Sequence, residues 1–148
     1  MIISFDLDDT LIGEGRFPLE KEPLISKIFG MERLRLGTIN LFKELKRNGH
    51  SIYIYTTSYR SKSKIRRMFW SYGILLDKII NQQEHESTLG KRGKQVSKYP
   101  PSFEIDLHVD DSLGVEKEGI QYNFDTLILS IDDTMWEDKV LKRVGISK

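Results

Sequence analysis

The chain has 148 residues, 39% hydrophobic and 30% charged, and residues 1–148 are expected to fold as one domain around one core. It has no cysteine, which excludes disulfides, zinc–thiolate sites and thiol nucleophiles, and its net charge of +1 predicts no overall attraction to nucleic acid. No apolar run could span a membrane and no secretory leader precedes Asp6, so we expect a cytoplasmic protein without a membrane partner.

The first predicted strand is the apolar run Met1–Phe5, which leads directly into Asp6, Asp8, Asp9 and Thr10. Ligands of open α/β sheets gather at the carboxyl ends of such strands, where these acids fall. Carboxylates as close as Asp6 and Asp8 repel each other unless a cation lies beside them. Mg²⁺, which takes oxygen ligands, fits this pattern; a solvated acidic turn is the plainer alternative.

The segment Phe5-Asp-Leu-Asp-Asp-Thr-Leu11 resembles motif I of the haloacid dehalogenase-like (HAD) hydrolases, whose phosphatases carry Asp-x-Asp-x-Thr after a hydrophobic strand. The resemblance implies that Asp6 is the nucleophile that attacks phosphorus and a metal ligand. It implies that Asp8 is the general acid/base and binds the metal through its main-chain carbonyl. Thr10 would hold the turn in place.

Residues 12–37 are the least regular part of the chain. The apolar residues between Leu24 and Phe29 have helical spacing and predict a short amphipathic helix that ends at Gly30. In HAD proteins this position holds a flap, and any cap domain is inserted there. About 25 residues suffice for a flap and one helix but not for a cap, so a capless member is expected.

A helix with Thr38 as its N-cap and a strand over Ser51–Tyr55 come next, and the strand ends in Thr56, Thr57 and Ser58. A βαβ crossover is almost always right-handed, so these hydroxyls should meet the carboxylates of motif I at one sheet edge. The resemblance extends to motif II of the family, which implies that Thr56 binds the transferring phosphoryl group. Thr57 and Ser58 are the second choices.

The next predicted amphipathic helix has the apolar residues Ile65, Met68, Phe69 and Tyr72 and ends at Gly73. Its first turns carry a basic stretch: Arg60, Lys62, Lys64, Arg66 and Arg67. Cations at a helix N-terminus oppose the macrodipole, which favours a bound anion near them. We assign Arg60 to substrate phosphate because it follows motif II at once, and interpret the others as a solvated face. A short third strand is predicted within Leu75–Ile80.

Residues 81–104 are polar and rich in turn formers, and we predict a loop with at most one helical turn. Motif III of the family is a lysine that neutralises the nucleophile and the phosphoryl oxygens. Lys98 is preferred because it precedes a proline-containing segment, and Lys94 is the alternative, otherwise a substrate phosphate contact. His85, in this loop, and His50 have no partner that the sequence identifies.

The strand Ile105–Val109 leads into Asp110 and Asp111, which repeats the pattern of motif I. This resembles motif IV of the family in its Asp-Asp form. It implies that Asp111 is the main metal-binding acid and Asp110 a second one, with Mg²⁺ as the cofactor. His108, inside the strand, is expected to be a buried histidine with satisfied hydrogen bonds.

A fifth strand is predicted over Thr126–Ile131, only a very short segment after motif IV. Asp132 and Asp133 follow it and echo motif I, but the nucleophile position holds Ser130. We interpret them as acids at a helix start, with a Thr134/Glu137 capping box opening the last helix.

The resemblance covers almost the whole chain and implies a HAD-like Rossmannoid α/β sandwich of three layers. Its parallel sheet would have five strands in the order 5-4-1-2-3 and no cap domain. It implies a Mg²⁺-dependent phosphatase that acts on a phosphorylated substrate through an aspartyl-phosphate. One alternative is a HAD-fold binding or regulatory module with little turnover. Another is a phosphatase for nucleic-acid or protein phosphate. The oligomeric state is left open.

Overall fold

A computed structural model describes residues 1–147, and these form one parallel sheet of five strands. The strands are β1 (Ile2–Phe5), β2 (Ser51–Tyr55), β3 (Lys78–Ile80), β4 (Leu107–Asp110) and β5 (Thr126–Ile128). Their order is β3-β2-β1-β4-β5, with every neighbouring pair parallel. This confirms the α/β fold and the strand order 5-4-1-2-3 expected from the sequence.

The strands alternate with helices. These are α1 (Leu24–Ile28), α2 (Thr38–Arg47), α3 (Lys62–Ser71), α4 (Gln82–Leu89), α5 (Leu113–Tyr122) and α6 (Trp136–Arg143). Two 3-10 turns, Gly90–Lys94 and Pro100–Phe103, lie between α4 and β4. Along the described residues, no helix combines the length and apolarity that a membrane crossing requires.

The pleat of the strands separates the core into two faces. Ile3 and Phe5 of β1 belong to the larger apolar cluster, together with residues of α2, α3 and α6. Phe5 lies 4.8 Å from Phe42 of α2, between ring centroids. On the other face Tyr55 packs in a second cluster. Successive side chains of a strand point to opposite faces of the sheet. The side chains of β1 that alternate with Ile3 and Phe5 therefore lie on this second face, as does the site described below.

Two helices were not predicted, because their sequences lack an apolar stripe. The loop expected over residues 81–104 contains α4, which begins with the Asn81 side chain accepting from the Glu84 amide and buries His85. The segment after motif IV, expected to be very short, holds α5. In α5 the buried residues are Val115 and Gly119, and a Cβ at Gly119 would lie 2.9 Å from the Phe124 carbonyl oxygen. A glycine contact of this kind carries no periodic hydrophobic signal.

Helix α1 is present but does not bury the predicted apolar face. Leu24, Ile28 and Phe29 are exposed, and the buried residue of the helix is Ser26. The surrounding segment, residues 12–37, folds back through isolated antiparallel bridges that join Ile12 to Leu34 and Leu19 to Arg35. We call residues 12–37 the flap.

The predicted helix caps were wrong in two places. The N-cap of α2 is Gly37, at φ 98°, and Thr38 instead donates its hydroxyl to the Arg35 carbonyl. The N-cap of helix α6 is Met135 rather than Thr134, and Met135 makes no side-chain cap. β5 also ends at Ile128 rather than at residue 131.

The base of the flap is fixed by a buried arginine. Arg35 donates to the carbonyls of Thr10, Ser130 and Asp133, and its guanidinium lies 4.9 Å from the centre of the Trp136 ring. Burial lowers the pKa of this guanidinium, while the charge of Asp133 opposes that change. The segment after β5 that echoes motif I therefore serves to hold the flap beside motif I.

Candidate active site and metal centre

The sheet brings two acids from distant parts of the chain together. Asp6 follows β1 and Asp110 ends β4, and these strands are neighbours in the sheet. The Asp6 amide donates to the Val109 carbonyl at 2.8 Å, which extends the pairing to the acid itself. Asp6, Asp110 and Asp111 each offer a carboxylate oxygen, and these oxygens lie within 4.8 Å of one another. Carboxylate oxygens alone are a donor set that suits a hard divalent cation such as Mg²⁺.

A buried lysine compensates these charges. Lys98 is 2% exposed, and its Nζ lies 2.7 Å from Asp6 Oδ1 and 3.4 Å from Asp110 Oδ2. Burial would lower its pKa, but the two carboxylates outweigh that effect and raise it, so Lys98 is a cation. Lys94, the alternative for motif III, is exposed and lines a separate cavity.

The carboxylates of the site differ in how readily they ionise. Burial raises the pKa of Asp6 to about 7, although Lys98 lowers it; the charge of Asp110 adds to the rise. Burial also acts on Asp110, but the His108 hydrogen bond and Lys98 hold its pKa below the usual range. Burial and the charge of Asp110 raise the pKa of Asp111. Burial is therefore the main cause of the two raised pKa values, and the negative charge of Asp110 adds to both.

His108 lies behind the site and is fully buried between two partners. Its Nε2 is 2.9 Å from Asp110 Oδ2, and its Nδ1 is 2.7 Å from Ser4 Oγ. This confirms the prediction of a core histidine with satisfied hydrogen bonds. Its position means that it orients Asp110, whose other oxygen accepts from the Ser112 amide at 2.9 Å.

The motif I turn directs its residues to different partners. Asp9 adopts a left-handed conformation (φ 59°), which Asp tolerates better than most residues, and its amide donates to the Ile12 carbonyl at 2.7 Å. Thr10 is buried and donates its hydroxyl to Asp111 Oδ1 at 3.1 Å. The turn thereby connects motif I to motif IV, in line with the holding role expected of Thr10.

The exposed side chain of Asp8 pairs with Arg60. Its two oxygens accept from the guanidinium at 2.9 and 3.0 Å, and the same guanidinium donates to Glu32 of the flap at 2.8 Å. Hydrogen bonding to Asp8 is the main cause that raises the pKa of Arg60. The side chain of Asp8 is thus not part of the acid cluster, and Arg60 joins motif I, motif II and the flap.

The two threonines that follow β2 differ in exposure. Thr56 is buried, and its Oγ1 accepts from the Ser58 amide at 3.1 Å, which leaves the hydroxyl proton available to another acceptor. Thr57 is exposed and lines a cavity of about 530 Å³ together with Tyr59, Gln82 and Lys94. The structure therefore places Thr57 and Lys94 on one cavity wall rather than among the acids.

Sequence reasoning missed three side chains that surround the segment of Lys98: Tyr55, His85 and Glu118. The sequence places His85 in a polar loop and identifies no partner for it, but His85 is buried and hydrogen-bonded to Tyr55. Tyr55 gave only the signal of a buried strand residue, and Glu118 lies on the helix α5, which was itself not predicted. No sequence pattern indicated that these residues meet.

Comparison with known proteins supports the fold. No protein-family model and no curated protein matches the chain. A solved structure described as a predicted HAD-like family hydrolase from Porphyromonas gingivalis is similar, with a TM-score of 0.56 and 14% identity, over 99% of this chain and 98% of that one. The chain therefore has a HAD-like fold, with Asp6, Asp110, Asp111 and Lys98 gathered at the carboxyl ends of its central strands.

Proposed function

We propose that the protein is a hydrolase of the HAD superfamily, a capless Mg²⁺-dependent phosphatase that cleaves phosphoric monoesters through an aspartyl-phosphate on Asp6. One observation carries this proposal: Lys98 Nζ lies between Asp6 and Asp110, 2.7 and 3.4 Å from their oxygens, beside a cluster of carboxylates able to hold a cation. A buried nucleophile, a fixed cation and a metal site at one point are what phosphoryl transfer requires.

In the proposed reaction an Asp6 carboxylate oxygen forms a bond to phosphorus as the bond to the leaving oxygen breaks. Asp8 gives its proton to that leaving oxygen. Asp8 then takes a proton from water as the water attacks phosphorus and the bond to Asp6 breaks, which regenerates both residues. Lys98 and the Thr56 hydroxyl bind the phosphoryl oxygens throughout.

The metal site would use the carboxylates of Asp6, Asp110 and Asp111 and the main-chain carbonyl of Asp8. A bound Mg²⁺ supplies neutralisation of the phosphoryl oxygens and of the clustered acids. Its donors are oxygens only, which fits this ion.

Arg60 links substrate binding to the availability of Asp8. With both Asp8 oxygens held by Arg60, Asp8 cannot give a proton to a leaving group. A phosphoryl group is an alternative anion for the guanidinium, since arginine binds carboxylate and phosphate with the same fork of donors. We propose that substrate phosphate takes over Arg60 and releases Asp8, with Thr57 and Lys94 as further contacts to the substrate.

A macromolecular substrate is the second candidate, favoured by the basic surface of α3. Lys62, Lys64, Arg66 and Arg67 are all exposed on this helix, which has no acidic residue. The flap carries only the five-residue helix α1 among its described elements, so a large phosphorylated end of a nucleic acid or protein would have access. Activity on a 5′-phosphorylated oligonucleotide that falls steeply with salt would favour this candidate over a small phosphorylated metabolite.

The test is a panel of phosphorylated compounds, including an aryl phosphate, assayed with Mg²⁺ and with EDTA. We expect phosphate release that needs Mg²⁺ and is lost in Asp6→Asn. Asp132→Asn is the matched control, because Asp132 is an exposed acid in the segment that echoes motif I. Undiminished activity in EDTA with no retained metal, or in Asp6→Asn, would exclude the mechanism.

A further inference from the structure

The main chain around Lys98 is held by side chains instead of by a strand or helix. The amide of Ser97 donates to Glu118 Oε1 at 2.7 Å, and the amide of Lys98 donates to Glu118 Oε2 at 3.1 Å. The amide of Tyr99 donates to the Tyr55 hydroxyl oxygen at 2.9 Å. Three consecutive amides are therefore bound by two side chains, one from α5 and one from β2.

A buried histidine extends this arrangement and fixes its direction. His85 Nε2 lies 3.0 Å from the Gly93 carbonyl and 3.2 Å from the Val96 carbonyl. Carbonyl oxygens only accept, so Nε2 carries the hydrogen and Nδ1 is the acceptor. The Tyr55 hydroxyl, 2.6 Å away, must then donate to Nδ1 while its oxygen accepts from Tyr99.

Tyr55 suits this position in two further ways. Burial raises the pKa of its hydroxyl well above the usual range, so the hydroxyl stays protonated and remains a donor. Its ring centre also lies 5.5 Å from Lys98 Nζ, close enough for a cation–π contact. Tyr55 thus contacts both the main chain beside Lys98 and the ammonium group itself.

We propose that Glu118, Tyr55 and His85, which we call the Lys98 clamp, are positioning residues that hold Lys98 against Asp6. This inference rests on the proposed function. Lysine has a long, flexible side chain, so the place of its ammonium group depends on where its Cα is fixed. A misplacement of about 1 Å at a reacting centre can cost about 10²-fold in rate, so fixing this segment controls catalysis without contact with the substrate.

The first test is a double-mutant cycle between the clamp and Lys98. Glu118→Gln offers one acceptor oxygen for two amides, and Tyr55→Phe keeps the ring but removes the hydroxyl. We expect each to lower kcat about 10-fold with a smaller change in KM. In a Lys98→Met background neither should cause a further loss, because positioning residues act only through the residue they position. Equal losses in both backgrounds would mean a general structural role and overturn the proposal.

Glu116→Gln is the matched control, since Glu116 is an exposed glutamate on the same helix α5. It should leave kcat and KM unchanged. A loss in this control equal to that of Glu118→Gln would show that any charge change on α5 disturbs the site.

The second test needs no turnover and separates the clamp from the proposed function. Amide hydrogen exchange at residues 97–99 should be slow in the wild type and faster in Glu118→Gln and Tyr55→Phe. The buried Lys98 amine should resist reductive methylation in the wild type and react in both variants. If the wild type hydrolyses no phosphomonoester, the proposed function is refuted but the clamp is not. If amide exchange and methylation are unchanged in the variants, the clamp is refuted.

Discussion

Replacing Asp6 by asparagine should stabilise the metal-free protein, and increasingly so as pH rises. Asp6 is 7% exposed and its pKa is raised from 3.8 to about 7, chiefly by burial. A carboxyl whose pKa is higher in the folded state favours folding when protonated. That contribution is complete below the unfolded-state pKa and is lost as pH rises through about 7. Asparagine has nearly the same shape but does not titrate.

The size of the effect follows from the two pKa values. The pKa of Asp6 is 3.8 in the unfolded state and about 7 in the folded state. At pH 8 this difference makes the unfolding free energy of Asp6→Asn larger than that of the wild type by about 4 kcal/mol. At pH 5, where only the unfolded state is largely ionised, the difference is about 2 kcal/mol. For a domain of this size about 4 kcal/mol corresponds to roughly 10 °C in Tm.

The assay is urea unfolding of both proteins in EDTA at the two pH values, with Asp132→Asn as the control. We expect the stability gap to widen from pH 5 to pH 8. Mg²⁺ should narrow it, because the wild type gains more from a cation among its acids. If Asp6→Asn is no more stable than the wild type at either pH, or if the stability difference shrinks as pH rises, Asp6 is not a buried acid with a raised pKa.

Three further predictions concern the roles of single residues. Lys98→Ala should lower kcat far more than Lys94→Ala in a steady-state assay, since only Lys98 contacts Asp6; the reverse ranking would move the motif III role to Lys94. Asp8→Asn should lower kcat by ~10²–10⁴ with an unchanged circular dichroism spectrum, and an unaffected rate would exclude Asp8 as the acid/base. Arg60→Gln should raise KM about 10-fold, because a charge-assisted hydrogen bond to phosphate is lost, whereas the exposed Arg66→Gln should not; equal KM values for these two variants would contradict the role of Arg60.

The strands and their order were predictable because the signals for them are strong and local. β1 and β4 are apolar runs that each end in paired acids, and the topology that the resemblance implies places them side by side, as the structure does. Motif III was less determined, since Lys94 and Lys98 lie in the same polar segment. Only the three-dimensional path of that segment, set by side chains of other elements, distinguishes them.

The missed elements share one physical cause: their stability comes from polar or backbone contacts. Helix α4 is held by the Asn81 cap and by the hydrogen bonds of His85, and α5 packs through Gly119. Hydrophobic periodicity detects neither contact. The opposite error occurred at α1, where helical spacing of apolar residues correctly predicted a helix but not its exposed side chains. Periodicity indicates a helix face, and tertiary packing decides whether it is covered.

The central position of β1 has a consequence for the order of folding. β1 is synthesised before β4, with which one of its edges pairs. Residues that meet at this edge, such as Ser4 and His108, are 104 positions apart. Closing so long a loop costs chain entropy before the contact is gained, and such non-local pairing slows folding. During synthesis on the ribosome, this edge of β1 therefore remains unpaired until residues 107–110 emerge. A nascent chain shorter than this can form the β1–β2 pair and yet has no acid from motif IV for Asp6 to meet.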